Sequence, residues 1–266
     1  MVDTENAKSP RERYRAQVRA EVKERAWEQI AAAGTSALSL NAIAKKMGMS
    51  GPALYRYFGS RDELITELIR DAYRSLADTF HAAAAVAAAE SAEITRTAEV
   101  TRTAEVTRIA ETTEIAGAAA TGESAGPARP RRPGEPGEPA LATLAHALRG
   151  WALADPQRYF LVYGTPVPGY HAPDDITVIA SEIMAVLLDA CAALPQSGPA
   201  TPFDEHLADH RDWAAGHPAP PAALHRATAF WTRLHGVLSL ELAGHFTGMG
   251  LDPALLFAAE LEDLLS

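Results

Sequence analysis

Residues 39–65, SLNAIAKKMGMSGPALYRYFGSRDELI, decide how the rest of the chain is read. Ser39 is a good N-cap, and Leu40, Ile43, Ala44 and Met47 recur at i, i+3, i+4 and i+7. That pattern predicts a short amphipathic helix over 39–47. Gly48 stands where a left-handed residue ends such a helix. After the brief Gly48-Met49-Ser50 connection, a second short helix is expected from Ser50 to Phe58. Pro52 is tolerated in its first turn, because the N–H it lacks would have no intrahelical partner there. Gly59 ends this helix, and Ser60-Arg61-Asp62-Glu63 is a capping box that opens a longer helix through Phe80. Two short helices joined by a turn of about three residues have the dimensions of a helix-turn-helix.

Upstream, Val18, Val22, Ala26 and Ile30 recur every four residues over 10–33, with Gly34 as the stop. The exposed positions of that helix are rich in Arg and Glu. On the helix that starts at Ser50, Leu54 and Phe58 lie about 40° apart and point to a core. Pro52, Ala53 and Arg56 occupy the opposite half, bordered by Tyr55 and Tyr57. Small residues let a backbone approach a DNA groove, and Tyr and Arg reach phosphates or base edges. A plain three-helix packing unit with exposed tyrosines fits the same pattern, and the residues alone leave both readings open.

The chain has 266 residues, with 24 Lys+Arg against 34 Asp+Glu and a net charge of −10. Taken whole, that charge argues against a polyanionic partner. It is unevenly spread: residues 1–80 carry 13 basic and 11 acidic residues, leaving 11 basic and 23 acidic for the remainder. The head is slightly basic and the rest strongly acidic, as expected of two different functional units. Phosphate contacts must then be few and placed, with weak non-specific binding. The polar N-terminus lacks the apolar core of a signal peptide, and no apolar run is long enough to span a bilayer. The expectation is a cytoplasmic protein with no membrane partner.

Residues 82–138 break the helical pattern. EITRTA, EVTRTA, EVTRIA and ETTEIA form a six-residue repeat from Glu93 to Ala116. Six residues turn an α-helix by 600°, so the apolar positions spread over three stripes instead of one face. The expectation is a low-complexity insertion, a marginal helix or disordered, followed by a Pro/Gly-rich linker. From 139 onward helices return, over 139–154, to Tyr163, over 174–193, near 203–215, and over 221–246 and 252–265. No stretch alternates as a strand does. The fold class is all-α: an N-terminal helix-turn-helix unit (10–80), an insertion (82–138) and a C-terminal helical bundle (139–266).

Residues 18–70 closely resemble the DNA-binding signature of the TetR family of one-component regulators. The Ile43-Ala44 pair, Gly48, Ser50, the Leu54-Tyr55-x-Tyr57-Phe58 block and Glu63-Leu64 carry the resemblance. It implies that the helix from Ser50 is the recognition helix, with Gly51, Pro52, Ala53 and Tyr55 where family members contact bases. Ser39, Tyr57 and Arg61 fall where phosphate contacts are usual, and Ser50 and Arg56 complete the candidate DNA-contact set. Residues 141–265 are similar to the effector and dimerisation domain of a subgroup named for Trp-x-x-x-His-Gly, here Trp231, His235 and Gly236. The resemblance implies a homodimeric repressor that binds a palindromic double-stranded DNA operator and answers to a small-molecule effector. Candidate effector-binding residues are Trp151, Tyr159, Tyr163, Tyr170, Trp231 and His235, and the stiff loop Pro166-Val167-Pro168-Gly169 is a candidate rim. Packing alone also explains those aromatic residues.

Other chemistry is sparse. His206 and His210 share a helix face, but no Cys or HExxH pattern accompanies them, and no metal site is expected. No nucleotide-binding or α/β-hydrolase motif is present. The single Cys191 sits in an apolar run and reads as an inert buried thiol. Neither an enzymatic activity nor a cofactor is expected.

Overall fold

The computed structural model describes residues 9–115, 138–165, 173–195 and 198–266, and among them there is no strand. The all-α expectation is borne out. The elements are α1 (Pro10–Ala33), α2 (Leu40–Lys46), α3 (Gly51–Leu54), α4 (Arg61–Ile115), α5 (Glu138–Ala154), α6 (Pro156–Tyr163), α7 (Asp174–Ala192), α8 (Pro202–Asp209), α9 (Pro221–Leu242) and α10 (Pro253–Leu265). They form two compact units, one drawn from Met1–Asp78, Leu148–Ile183 and Gly236–Pro253, the other from Thr79–Ala147, Met184–His235 and Ala254–Ser266.

In the first unit, α1 starts on a complete capping box, with Ser9 and Glu12 each accepting the other's backbone N–H. It buries Val18, Val22, Ala26 and Ile30, the stripe read from the sequence. Gly34 ends it at φ +76°, donating to the Ile30 carbonyl at 2.8 Å. α2 is capped by Ser39, whose Oγ accepts from Ala42 N. It ends at Gly48, with φ +66°, where Met49 N bonds back to the Ala44 carbonyl at 2.9 Å. That 6→1 closure is what a left-handed glycine permits without a Cβ clash. Leu40, Ile43 and Ala44 of α2 join Leu54, Phe58 and Leu64, Ile65 and Leu68 of α4 in one core, which also takes Leu161 and Ile176. Leu54 and Phe58 are fully buried, each worth about 1.5–3 kcal/mol by area removed from water.

In the second unit, Phe230, Leu234, Phe257, Leu261 and Leu264 are buried, with Leu187, Leu188 and Cys191 of α7. The stripe on α10 is Phe257, Leu261 and Leu264, a clean i, i+4, i+7 set. Leu255, on the same helix, is 70% exposed.

Four boundaries differ from the sequence expectation. The regular part of α3 is four residues, not nine, although Tyr55, Arg56, Tyr57 and Phe58 continue it with bonds to the carbonyls of Gly51, Ala53 and Leu54. Two of those four bonds, from Arg56 and Tyr57, reach back three residues, the tighter geometry common at helix ends. α4 does not stop near Phe80: it runs unbroken to Ile115 through most of the repeat, so the first part of the insertion is helical. Of the Pro/Gly-rich linker expected over 122–140, residues 122–137 lie outside the described residues, and 138–140 already belong to α5. The piece near 203–215 is α8 followed by a separate 3₁₀ turn, Asp212–Ala214. Finally, α9 ends at Leu242, where Gly244 (φ +77°) allows His245 N to bond the Leu240 carbonyl.

Candidate nucleic-acid interface

α3 places its residues on two sides. Leu54 and Phe58 face the core, while Ser50, Pro52, Tyr55 and Arg56 are exposed, Tyr55 by 44%. Gly51 and Ala53 are half-buried, and a Cβ on Gly51 would stand 3.0 Å from Asn41 Oδ1 of α2. The close approach of α2 and α3 is therefore part of why Gly51 is small. Tyr57 is half-buried and packs against the core. The surface presented by this turn is thus small residues plus Tyr55 and Arg56, one arginine and no carboxylate.

The remaining candidate contacts flank it. Ser39 is half-buried, with its N–H donating to Gln29 Oε1 at 2.9 Å and its hydroxyl closing α2. Arg61 is committed on its inner side: Nε donates to the Leu38 carbonyl at 3.2 Å and a terminal nitrogen to that of Thr35 at 2.7 Å. Its other terminal nitrogen lies 3.7 Å from Asp62. Arg61 therefore ties the start of α4 to the loop before α2. The capping box at Ser60 is modified as well. Ser60 Oγ accepts from Glu63 N at 3.0 Å, but the Glu63 carboxylate reaches Gly59 N, at 2.7 Å, instead of the Ser60 amide.

Two α1 side chains absent from the sequence reading also reach this region. Arg15 donates to the Arg56 carbonyl at 3.3 Å. Arg19 donates to the Tyr57 carbonyl and lies over the Phe58 ring at 4.1 Å from its centroid. In the sequence they look like any exposed arginines on an amphipathic helix, and no local spacing marks them.

The described candidate effector residues fall in both units. In the first unit, Trp151, Tyr159 and Tyr163 form a ring cluster with Tyr73, centroids 5.5–6.5 Å apart. Tyr159 is fully buried and shares a 2.8 Å hydrogen bond with Ser239 Oγ. Trp151 Nε1 and Arg158 both donate to Ser75 Oγ, and the Arg158 guanidinium lies 4.8 Å from the Trp151 ring centroid. Burial pushes both tyrosine hydroxyls above their usual pKa, Tyr163 well above. In the second unit Trp231 and His235 are adjacent, rings 4.4 Å apart, and burial lowers His235 to about 4. Tyr170 and the loop Pro166-Val167-Pro168-Gly169 lie outside the described residues.

A cavity of about 460 Å³ in the second unit is lined by none of these six. Its polar lining includes Thr201, Asp204, His225, Arg226, Arg233 and Asp263. The Thr201 hydroxyl and amide both donate to Asp204 Oδ2 at 2.6 Å, which holds that carboxyl below its usual pKa. His225 Nδ1 meets Asp204 Oδ1 at 3.0 Å. His206 and His210 stack on each other at 4.1 Å, and among the described residues no group of three metal-ligating side chains forms. Cys191 is buried, its thiol pushed up to about 12 by that burial. No described helix is long and apolar enough to cross a membrane.

Residues 24–68 match the family described as bacterial regulatory proteins, tetR family, and residues 141–264 match the tetracyclin repressor-like C-terminal domain. HTH-type transcriptional regulators of Mycobacterium bovis and Mycobacterium tuberculosis are 30% identical over 262 residues, covering 95% of this chain and 92% of theirs. The crystal structure of the regulatory protein SCO4313 is 60% identical and superposes with a TM-score of 0.71, covering 97% of this chain and 99% of that one. A protein of unknown function from Rhodococcus sp. RHA1, 18% identical with a TM-score of 0.55 over 99% of this chain and 97% of its own, shares the fold.

Proposed function

We propose, from the premise that this chain belongs to the TetR family of bacterial transcriptional regulators, that it is a ligand-responsive repressor acting as a homodimer on a palindromic operator. The premise makes it an HTH-type, DNA-binding regulator of a non-enzymatic family. The proposal adds the contacts, the assembly and the input. One observation carries it: α3 and the turn that continues it to Phe58 bury Leu54 and Phe58 completely, while Tyr55 and Arg56 stand exposed beside Pro52.

In this reading Gly51, Pro52, Ala53 and Tyr55 approach the bases, and Arg56 reaches a base edge or phosphate. Ser39, Ser50, Tyr57 and the outward nitrogen of Arg61 meet the backbone. With small residues at 51–53, sequence preference leans on Tyr55, Arg56 and DNA shape. A single short helix reads a half-site weakly. Two of them, about 34–36 Å apart across a two-fold axis, read a palindrome. The exposed Leu255 on α10 supports pairing through the C-terminal helices. Residues 10–80 are the reading head, 82–138 an insertion, and 139–266 an effector and dimerisation module of the Trp-His-Gly subgroup, acting in the cytoplasm. An effector shifts the equilibrium only if the DNA-competent form binds it more weakly.

The closed packing of Tyr159 favours a second reading, a constitutive DNA binder whose C-terminal half only dimerises. A small molecule that weakens operator binding separates the two. The head itself is tested by gel shift. Arg56→Ala should weaken operator binding by about 1–3 kcal/mol if it reads a base, and Tyr57→Phe should weaken it less, both with the thermal transition intact. Undiminished affinity in both variants removes α3 from the interface.

A further inference from the structure

Resting on the reading of α3 as the element that meets DNA, we propose that Arg19 is a positioning residue for sequence readout. It holds the carbonyl end of α3 so that Tyr55 and Arg56 are presented in one orientation. A helix of four residues does not support itself, because nucleation fixes several dihedrals for one hydrogen bond. Its last carbonyls are orphan acceptors unless something outside the helix donates to them.

Arg19 supplies that donor and is itself held on every side. One terminal nitrogen donates to the Tyr57 carbonyl and lies 3.6 Å from Glu63 Oε1, and the other lies 3.5 Å from Glu67 Oε2. The guanidinium carbon lies over the buried Phe58 ring, and the Arg19 side chain is only a quarter exposed. Glu63 accepts from Gly59 N through its other oxygen, so one carboxylate links Arg19 to the residue that ends the recognition turn. One turn earlier on α1, Arg15 holds the Arg56 carbonyl. The two residues expected to read DNA thus lie on a turn whose backbone is gripped by α1 and backed by α4. The grip needs the planar fork. A lysine keeps the charge but cannot stack on Phe58 while serving a carbonyl and two carboxylates. With its face turned inward, Arg19 acts through the turn and not on a phosphate.

The test uses the full-length protein and two DNAs: a duplex enriched by the wild-type protein from a randomised library, and a shuffled duplex of the same composition. Arg19→Lys and Arg19→Gln should each bind the enriched duplex about tenfold more weakly while binding the shuffled one as the wild type does. The slope of log affinity against log salt should stay unchanged, since no phosphate contact is lost. A slope smaller by about one means a direct phosphate contact and overturns the proposal. So does undiminished discrimination, and so does a proportional loss on both duplexes, which is what a merely weakened fold produces. If Arg19→Gln does not fold, Arg19→Lys carries the same three outcomes. A wild-type protein that enriches no sequence refutes the DNA-reading premise instead, and the positioning role falls with it.

Discussion

The two stretches of α4 are one unbroken helix held together in two different ways. From Leu64 to Ala87 it buries a residue every three or four positions, Leu68, Ala72, Leu76, Phe80 and Ala83 among them. From 88 to 103 no described residue is buried. There the repeat places charges of alternating sign three residues apart, Glu93, Arg96, Glu99 and Arg102, of which Glu93 and Arg96 meet at 2.5 Å. Thr95, Thr97, Thr101 and Thr103 turn their hydroxyls back to the carbonyls four residues earlier. Such local pairs contribute about 0.2–0.5 kcal/mol each, whereas one buried leucine contributes about 1.5–3 kcal/mol. Continuity of a helix therefore says nothing about what stabilises it.

The largest expected effect sharpens that contrast at the packed end. Leu68→Ala should lower the unfolding free energy by about 2–5 kcal/mol in denaturant titration, because the site is fully enclosed. A loss below about 1 kcal/mol would mean the core collapses around the gap.

Acid is the next probe, through the buried part of the second unit. His235 falls from its ordinary 6.5 to about 4 on burial, so the unfolded chain binds the extra proton first. Stability from that group is fully present above pH 6.5 and is lost as pH falls toward 4, by about 3 kcal/mol over the window. His235→Gln should flatten that part of the stability profile, measured by denaturant midpoints at stepped pH. A variant with the wild-type slope would place the acid sensitivity elsewhere.

The smallest effect belongs to the distal stretch. Val100→Ala, at a position 66% exposed, should change global stability by less than about 0.5 kcal/mol. Raising salt should lower helical circular dichroism there before the cooperative transition begins, since ion pairs on an exposed helix are screened. A Val100→Ala cost comparable to that of Leu68→Ala would show that something covers this face in solution.

How far the sequence reaches follows from the same division. The α1 stripe, the Ser39 cap and the Gly48 stop were legible because each is a local rule, readable within a turn or two. The length of α3 was not: Tyr55–Phe58 keep a helical pattern, but their bonding tightens toward three-residue closure as the chain leaves for Gly59. The end of α4 was missed because a six-residue period has no apolar face, and facelessness argues against burial but not against helix. The candidate DNA contacts gather on and around α3. The candidate effector residues fall in both units, and sequence can nominate aromatic residues but not the tertiary partners that Ser75, Ser239 and Arg158 provide. Arg15 and Arg19 meet α3 across about forty residues of chain, a distance over which no local pattern extends.

Cys191 has a practical consequence. It is the chain's one thiol, fully buried and kept protonated by that burial. Maleimide chemistry proceeds through the thiolate, so the native protein presents an almost blank surface to such a reagent. A single introduced cysteine, Tyr55→Cys on the reading turn or Val100→Cys on the solvated stretch, would carry a fluorophore or spin label alone. Each region could then report its own motion without background from the other.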